Sequence, residues 1–269
     1  ALSSTLFLIF LQIFDTFFIL FFFYILDLFI HLKQVINLKY IHSFLITLLF
    51  CILFYAFFFP IQSHPLPVNH TLSLANQTIV IDPGHGGLDN GASVGKYKED
   101  DINLKIAFKL QKELESRGAT VFLTRNDDQD LTMRNYNYSK QDDMYLRVKK
   151  IDSYEADLFV SIHLNASPSS STWGSQVFYY GKSEEAKQLA DDVHSSMKKV
   201  TGSKKAIESA NFYVLRCTKT KGILIECGFL TNKNERGQLL SSKHQEKLSK
   251  AISDGIEAYI QRLQTSSHN

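Results

Sequence analysis

Residues 79–87, with the sequence IVIDPGHGG, constrain the fold of this chain more than any other segment. The β-branched residues at its start favour a buried strand, and the Pro-Gly and Gly-Gly pairs that follow force a turn. This turn carries His85 at the end of the strand. Since ligands of open α/β proteins bind at the carboxyl ends of parallel strands, the segment predicts both a fold class and the position of a site.

Two later apolar runs carry a polar side chain in a similar context. Residues 158–165 read LFVSIHLN and contain His163, and residues 223–229 read ILIECGF and contain Glu226. Each run has the β-branched character of a buried strand. We therefore interpret His85, His163 and Glu226 as members of one site at the ends of three neighbouring strands.

From residue 77 onward, strand-like runs alternate with helical periodicity. Ile102, Ile106, Leu110 and Leu114 recur every four residues and predict one apolar helix face. The predicted strands are residues 78–82, 120–124, 158–164, 174–180, 212–215 and 223–226. The predicted helices are residues 100–117, 145–154, 186–200 and 248–263, and residues 126–141 are predicted to form a surface loop. This alternation predicts an α/β fold, a single domain with a mostly parallel twisted sheet covered by helices on both faces.

The N-terminal part has a different composition, rich in Phe, Leu and Ile. Residues 43–59 contain no charged side chain and reach the lower end of the length that spans a bilayer. Lys33 and Lys39 precede this stretch, and no Lys or Arg occurs in residues 40–95. The positive-inside rule then predicts an anchor over residues 43–60 with the following domain outside the cytoplasm, while a cleaved signal peptide is the alternative.

The remaining boundaries follow from the position of that segment. The first methionine in the sequence is Met133, within the folded domain, so we hypothesise that residues 1 to about 35 are misassigned upstream sequence. Residues 1–42 are accordingly treated as an apolar N-terminal segment. Residues 61–76 read as a short linker, and residues 77–263 as the catalytic domain.

Charge and cysteine content exclude several function classes. The 29 Lys and Arg residues nearly balance the 27 Asp and Glu residues, which argues against a nucleic-acid partner. The chain contains no C-x-x-C sequence, so neither a thiolate zinc site nor a redox pair is indicated. We interpret Cys217 and Cys227 as small buried side chains, with a disulfide between them as the alternative.

The residue types at the strand ends are those of a catalytic metal site. Zinc enzymes use three protein ligands and leave a fourth position open for water or substrate. The ion lowers the pKa of a bound water molecule and polarises a substrate carbonyl. His85 and His163 supply two imidazoles. The third ligand must come from an acidic residue nearby, and residues 99–101 (Glu-Asp-Asp) offer three, although such residues also offset the dipole of a helix N-terminus.

Glu226 requires separate consideration because a charged residue in an apolar run is costly to bury without a partner. Beside a metal centre it could act as a general base and later protonate a leaving amine. Alternatively, it could end a strand and be solvated.

Six segments in order resemble one family. They are residues 79–87 (IVIDPGHGG), 99–104 (EDDINL), 123–125 (LTR), 146–147 (LR), 156–166 (ADLFVSIHLNA) and 223–232 (ILIECGFLTN). Together the segments resemble the zinc-dependent N-acetylmuramoyl-L-alanine amidases of bacterial cell walls, over about residues 77–263. Within that family the chain is most similar to the germination-specific amidases of endospore formers.

The resemblance implies a peptidoglycan hydrolase that cleaves the amide bond between N-acetylmuramic acid and L-alanine, acting outside the cytoplasm in spore-cortex maturation. It implies Zn²⁺ as cofactor, with His85, Glu99 and His163 as ligands. It makes Glu226 the catalytic carboxylate. Another zinc hydrolase of wall peptides, such as a carboxypeptidase, and a non-catalytic wall-binding protein remain the alternatives.

Two further residues are predicted to line the substrate groove. Asn165 and Arg216 both lie near the ends of predicted strands, where a bound glycan or stem peptide would pass.

Overall fold

The computed structural model describes residues 46–50, 72–132 and 139–266. The chain divides into two compact units, Ala1–Val68 and Asn69–Asn269. In the first unit only residues 46–50 are described, and they are helical. Residues 1–42 and most of the predicted membrane segment therefore lie outside the described residues. Within the described ranges, no helix combines the length and apolar character needed to cross a membrane.

The described residues of the second unit, 72–132 and 139–266, form a six-stranded sheet, a small hairpin and six helices. The strands are β1 Thr78–Pro83, β2 Ser93–Val94, β3 Tyr97–Lys98, β4 Thr120–Leu123, β5 Leu158–Asn165, β6 Gln176–Tyr179, β7 Glu208–Ser209 and β8 Gly222–Phe229. The helices are α1 Glu99–Ser116, α2 Lys140–Ser153, α3 Glu184–Thr201, α4 Tyr213–Cys217, α5 Lys233–Leu239 and α6 Ser242–Ser266. The main sheet has the order β4-β1-β5-β8-β6-β7, and β2 and β3 form a separate hairpin.

The main sheet is mostly parallel, as the sequence predicts. Strands β4, β1, β5 and β8 run in the same direction, while β6 is antiparallel to β8. In the pairing of β5 with β8, His163 is the register partner of Glu226. The carboxyl ends of β1, β5 and β8 therefore meet at one edge of the sheet, where all three predicted side chains lie.

Helices cover both faces of the sheet. Ile79 and Ile81 of β1 join the larger core with apolar residues of α1, α3 and α6. Val80 points to the other face and joins a smaller core with Ile151 of α2 and with two residues of α4. Because successive strand residues alternate between faces, a continuous apolar run such as β1 requires cover on both sides.

The prediction of a strand over residues 212–215 is wrong, because this segment forms the short helix α4. Val214 and Leu215 are both buried in the smaller core, whereas consecutive strand residues would point to opposite faces. The sheet position beside β6 is occupied by β7 instead. Cys217 at the end of α4 is exposed, Cys227 is buried, and neither forms a disulfide.

Two predicted loop regions are also shorter than expected. Helix α2 begins at Lys140, where the side chain of Ser139 caps it by accepting a hydrogen bond from the N–H of Asp142. In the predicted linker, Leu74 is fully buried, and its N–H donates to the carbonyl of Arg117 at 3.0 Å. The packed structure therefore begins upstream of residue 77.

Candidate metal centre

His85 lies in the turn that follows β1. Its backbone has φ 63°, in the left-handed region, and two hydrogen bonds between Gly86 and Asp89 close the turn. The N–H of Gly84 donates to the carbonyl of Ile162 at 2.9 Å, which ties the turn to the end of β5. This geometry turns the chain sharply at the edge of the sheet and presents the imidazole of His85 there.

Glu99 is the first residue of α1 and is only 3% exposed. The hairpin of β2 and β3 leads into this helix. Ala92, the residue before β2, exchanges two hydrogen bonds with Glu99. The N–H of Glu99 donates to the Ala92 carbonyl at 2.9 Å, and Oε2 of Glu99 accepts from the Ala92 N–H at 2.8 Å. One carboxylate oxygen is thus fixed by the backbone, which leaves Oε1 directed at the two histidines.

His163 lies near the carboxyl end of β5, against the turn that carries His85. A Cβ atom built on Gly84 would lie 2.2 Å from Cε1 of the His163 ring, so only glycine leaves room for this imidazole. The next residue, Leu164, donates its N–H to Oε1 of Glu99 at 3.0 Å. Strand β5 therefore positions both the second imidazole and the carboxylate.

The three side chains converge on one point. Oε1 of Glu99 lies 3.2 Å from Nε2 of His85 and 3.0 Å from Nδ1 of His163. The two imidazole rings stand nearly perpendicular, with centroids 4.9 Å apart. Burial opposes ionisation of Glu99, but hydrogen bonds from His163 and His85 outweigh it and hold the pKa of Glu99 well below its usual range.

This donor set fits a divalent transition-metal ion. One potential ligand atom from each of the three residues lies within 4.8 Å of the others, and no other such group of three His, Cys, Asp or Glu side chains occurs in the described part of the chain. Two imidazole nitrogens and one carboxylate oxygen form a ligand set found in catalytic zinc sites. Of residues 99–101, only Glu99 belongs to this group of potential ligands.

Glu226 lies beside this cluster on β8. As register partner of His163 on a neighbouring strand, it points to the same face of the sheet. Its Oε2 is buried and has no hydrogen-bond partner. Burial raises the pKa of Glu226 to about 7, with His163 opposing the shift and Glu99 adding to it. The interpretation of Glu226 as a simply solvated strand end does not fit this environment.

Sequence reasoning missed several residues around the cluster. Asp89 places Oδ2 2.9 Å from Nδ1 of His85. Burial lowers the pKa of His85, but Glu99 and Asp89 raise it by more, so the pKa lies above its usual value. Arg125 and Arg147 lie in two of the six segments that carry the family resemblance, but the sequence pattern predicts no role for them. Both are almost fully buried. For Arg147 a signal existed, since it shares a helix face with Ile151.

The two predicted groove residues lie in different settings. Asn165 ends β5, where its Oδ1 accepts a hydrogen bond from the N–H of Ala166 at 2.8 Å. Arg216 lies in α4 rather than at a strand end, with its guanidinium 5.7 Å from the ring centroid of Tyr213. Arg216 was predicted to line the substrate groove because it lay near a predicted strand end, and that reason no longer holds. A substrate role for either residue stays a prediction.

Fold and site together define an α/β protein with a candidate His₂Glu metal centre and a buried carboxylate at the carboxyl edge of a parallel sheet. A family model described as N-acetylmuramoyl-L-alanine amidase matches residues 79–258. The chain belongs to the N-acetylmuramoyl-L-alanine amidase family, which confirms the resemblance inferred from the six sequence segments.

Individual relatives agree with this assignment. The germination-specific N-acetylmuramoyl-L-alanine amidase of Bacillus subtilis strain 168 is 38% identical over 218 residues, covering 78% of this chain and 91% of the relative. The amidase LytC of the same strain is 35% identical over 189 residues, covering 69% of this chain but only 36% of LytC, so the chain spans about a third of that protein.

A solved structure shows the same fold. The CwlD amidase from Clostridioides difficile, determined in complex with the GerS lipoprotein, has a TM-score of 0.67 and 36% sequence identity. The match covers 70% of this chain and 100% of the solved chain.

Proposed function

We propose that this chain is a zinc-dependent hydrolase that cleaves the amide bond between N-acetylmuramic acid and L-alanine, with His85, Glu99 and His163 as the metal ligands. The observation that carries the proposal is the convergence of these three donor groups around Oε1 of Glu99. The unpartnered Oε2 of Glu226 beside them adds the proton-transfer group that an amidase needs.

Each part of the site has a chemical task in this reaction. Zinc, when bound, supplies a Lewis acid that polarises the scissile carbonyl and lowers the pKa of water. Glu226 is the general base, which accepts a proton from the attacking water at Oε2 and delivers it to the departing alanine nitrogen. Ala92 and Leu164 donate backbone N–H groups to the carboxylate of Glu99 and so hold it in the orientation that faces the imidazoles.

The biological setting is proposed from the relatives. The 38% identity with a germination-specific amidase supports a substrate in spore-cortex peptidoglycan. We place the catalytic domain outside the cytoplasm, anchored through residues 43–60. Fractionation of cells that produce the chain tests the anchor, since recovery of the intact chain in the soluble fraction would contradict it.

Product analysis tests the reaction itself. Purified full-length chain is incubated with cortex or wall peptidoglycan, with and without a metal chelator, and the fragments are identified by mass spectrometry. An amidase releases whole stem peptides that begin with a free L-alanine amino group, and the chelator abolishes their release. A carboxypeptidase would instead release single C-terminal residues, and a wall-binding protein would release nothing.

Replacing Glu226 by Gln separates catalysis from binding. The substitution keeps the side chain's shape but removes the base, so we expect turnover to fall by about 10²- to 10⁴-fold while Zn²⁺ still binds. Glu184→Gln, an exposed position at the start of α3, is the matched control and should retain full activity. Unchanged turnover in Glu226→Gln would refute the assigned role.

A further inference from the structure

Three consecutive carbonyl groups in the turn that carries His85 accept hydrogen bonds from buried arginines. The Pro83 carbonyl accepts from Nε of Arg125 at 3.0 Å and from Nη1 of Arg147 at 2.8 Å. The Gly84 carbonyl accepts from Nη2 of Arg125 at 2.9 Å, and the His85 carbonyl accepts from Nη2 of Arg147. These bonds hold a turn in which His85 adopts the left-handed conformation that side-chain-bearing residues rarely adopt.

Arg125 also reaches the helix that carries the third ligand. Its Nη2 donates a second hydrogen bond, to the carbonyl of Asp100 at 2.9 Å. One nitrogen atom therefore bridges the carbonyl groups of Gly84 and Asp100. Gly84 directly precedes His85, and Asp100 directly follows Glu99. The guanidinium thus joins the backbones of two ligand-bearing segments that are otherwise separated by the β2–β3 hairpin.

The bonding pattern of Arg125 distinguishes it from the other arginine. All four of its hydrogen bonds go to backbone carbonyls, those of Pro83, Gly84, Asp100 and Asp127. Arg147 instead also binds the carboxylates of Asp82 and Asp143, so its removal would leave buried charges without a partner. Arg125 can therefore be replaced without breaking a direct ion pair.

The geometry requires a planar group with several donors. A guanidinium presents five N–H donors in a fixed fork, and this fork spans carbonyl groups on three chain segments here. A lysine ammonium carries the same charge but is a compact point donor on a flexible stem. With three donors on one atom it could at most restore the Gly84–Asp100 bridge, and it could not also hold the carbonyls of Pro83 and Asp127 in the fixed geometry of the guanidinium.

We propose that Arg125 is a positioning residue that sets the spacing between His85 and Glu99 and thereby tunes the affinity of the site for a divalent metal ion. This inference rests on the proposed metal centre. Arg125 is not assigned a direct contact with either ligand side chain, because it acts through the backbones that carry them. Groups that hydrogen-bond metal ligands directly contribute about 10- to 100-fold in metal affinity, and we expect an effect of this order from a group that holds the backbones of two ligands.

The test measures the binding of Zn²⁺ itself. Full-length wild type, Arg125→Lys and Arg125→Met are stripped of metal and checked for folding by circular dichroism. Each is then titrated with Zn²⁺ in competition with a chromophoric chelator. We expect the affinity of both variants to be weaker than that of wild type by about 10- to 100-fold, with the methionine variant, which keeps no donor, affected at least as much as the lysine variant.

Arg117 provides a matched control. It also makes four hydrogen bonds from a largely buried position, but its partners are Glu113, Asp254 and Glu257, near the far end of α1. Arg117→Met should lower the midpoint of thermal unfolding and leave the affinity for Zn²⁺ within twofold of wild type. A purely structural contribution of Arg125 would give the same result as this control.

The outcomes separate the two proposals. If wild type fails to bind Zn²⁺, the proposed metal centre is wrong. If wild type binds and folded Arg125 variants bind equally well, or if Arg117→Met loses as much affinity, only the positioning role is overturned. Failure of both Arg125 variants to fold would also overturn it, because Arg125 would then act in folding as a whole.

Discussion

At the scale of single residues, the site depends on where a side chain is missing as much as on where one is present. Gly84 leaves the space that the His163 ring fills. At Gly91, which has φ 64°, a Cβ would lie 2.5 Å from Oε2 of Glu99 and 2.7 Å from Cδ2 of His85. These two glycines thus allow the backbone to lie close to all three candidate ligands.

Adding one methyl group at Gly84 should damage the metal centre selectively. Its backbone φ lies outside the left-handed region, so Gly84→Ala is strained by contact with His163 rather than by conformation. We expect Zn²⁺ affinity to fall by about tenfold or more, with a matching loss of activity at limiting metal. Competition titration with a chelator measures this.

Gly237→Ala is the control for that substitution. Position 237 lies in α5 with open space around a built Cβ, so alanine should stabilise the helix by up to about 1 kcal/mol. Its Zn²⁺ affinity should equal that of wild type. An equal affinity for Gly84→Ala would show that the His163 ring can shift without consequence.

At the scale of elements, a buried ion-pair network joins β1 to α2 beneath the site. Asp82 on β1 binds Nη1 of Arg147 at 2.9 Å and also accepts hydrogen bonds from Thr124 and Ser161. Burial opposes ionisation of Asp82, but Arg147 and the two hydroxyls outweigh it and lower the pKa of this carboxyl below 3.8. The network supports the turn that begins one residue later.

This lowered pKa predicts how stability depends on pH. Because the folded-state pKa of Asp82 lies below the unfolded value, its contribution is present above about pH 3.8 and is lost as the pH falls through the folded-state pKa. Asp82→Asn should therefore lower the free energy of unfolding by about 3 kcal/mol at pH 7, since it leaves Arg147 with only part of its compensation. The difference from wild type should shrink below pH 3.8.

Urea unfolding at pH 7, 5 and 3 measures this dependence. Asp191→Asn, at an exposed position on α3, serves as the control and should change stability little at any of these pH values. A difference between wild type and Asp82→Asn that stays constant down to pH 3 would contradict the assignment.

The elements also show how far the sequence alone could lead. The strand ends with His85, His163 and Glu226 were predictable because parallel strands bring their carboxyl ends to one edge. The residues alone left Glu99 undecided against its acidic neighbours, since the choice depends on where α1 begins. The role of Arg125 was not predictable because its partners lie up to 42 residues away in sequence and are backbone carbonyls, which leave no pattern in side-chain type.

At the scale of the whole molecule, a metal ion at this site would link three separate stretches of chain. His85, Glu99 and His163 span 79 positions and come from a turn, a helix and a strand. Such a set of ligands does not exist in the unfolded chain, so metal binding here would contribute directly to the free energy of folding.

Removing metal should therefore destabilise the whole catalytic unit. At a free Zn²⁺ concentration about 100 times the Kd, binding adds about 2.7 kcal/mol, which for a unit of this size corresponds to roughly 5–10 °C in the unfolding midpoint. Scanning calorimetry with and without a chelator measures the shift. His85→Ala should unfold at the same temperature in both conditions, because one of the three donor groups is gone. Glu226→Gln should keep the full shift. A chelator-dependent shift of equal size in His85→Ala would place the ion elsewhere in the protein and refute the His85–Glu99–His163 centre.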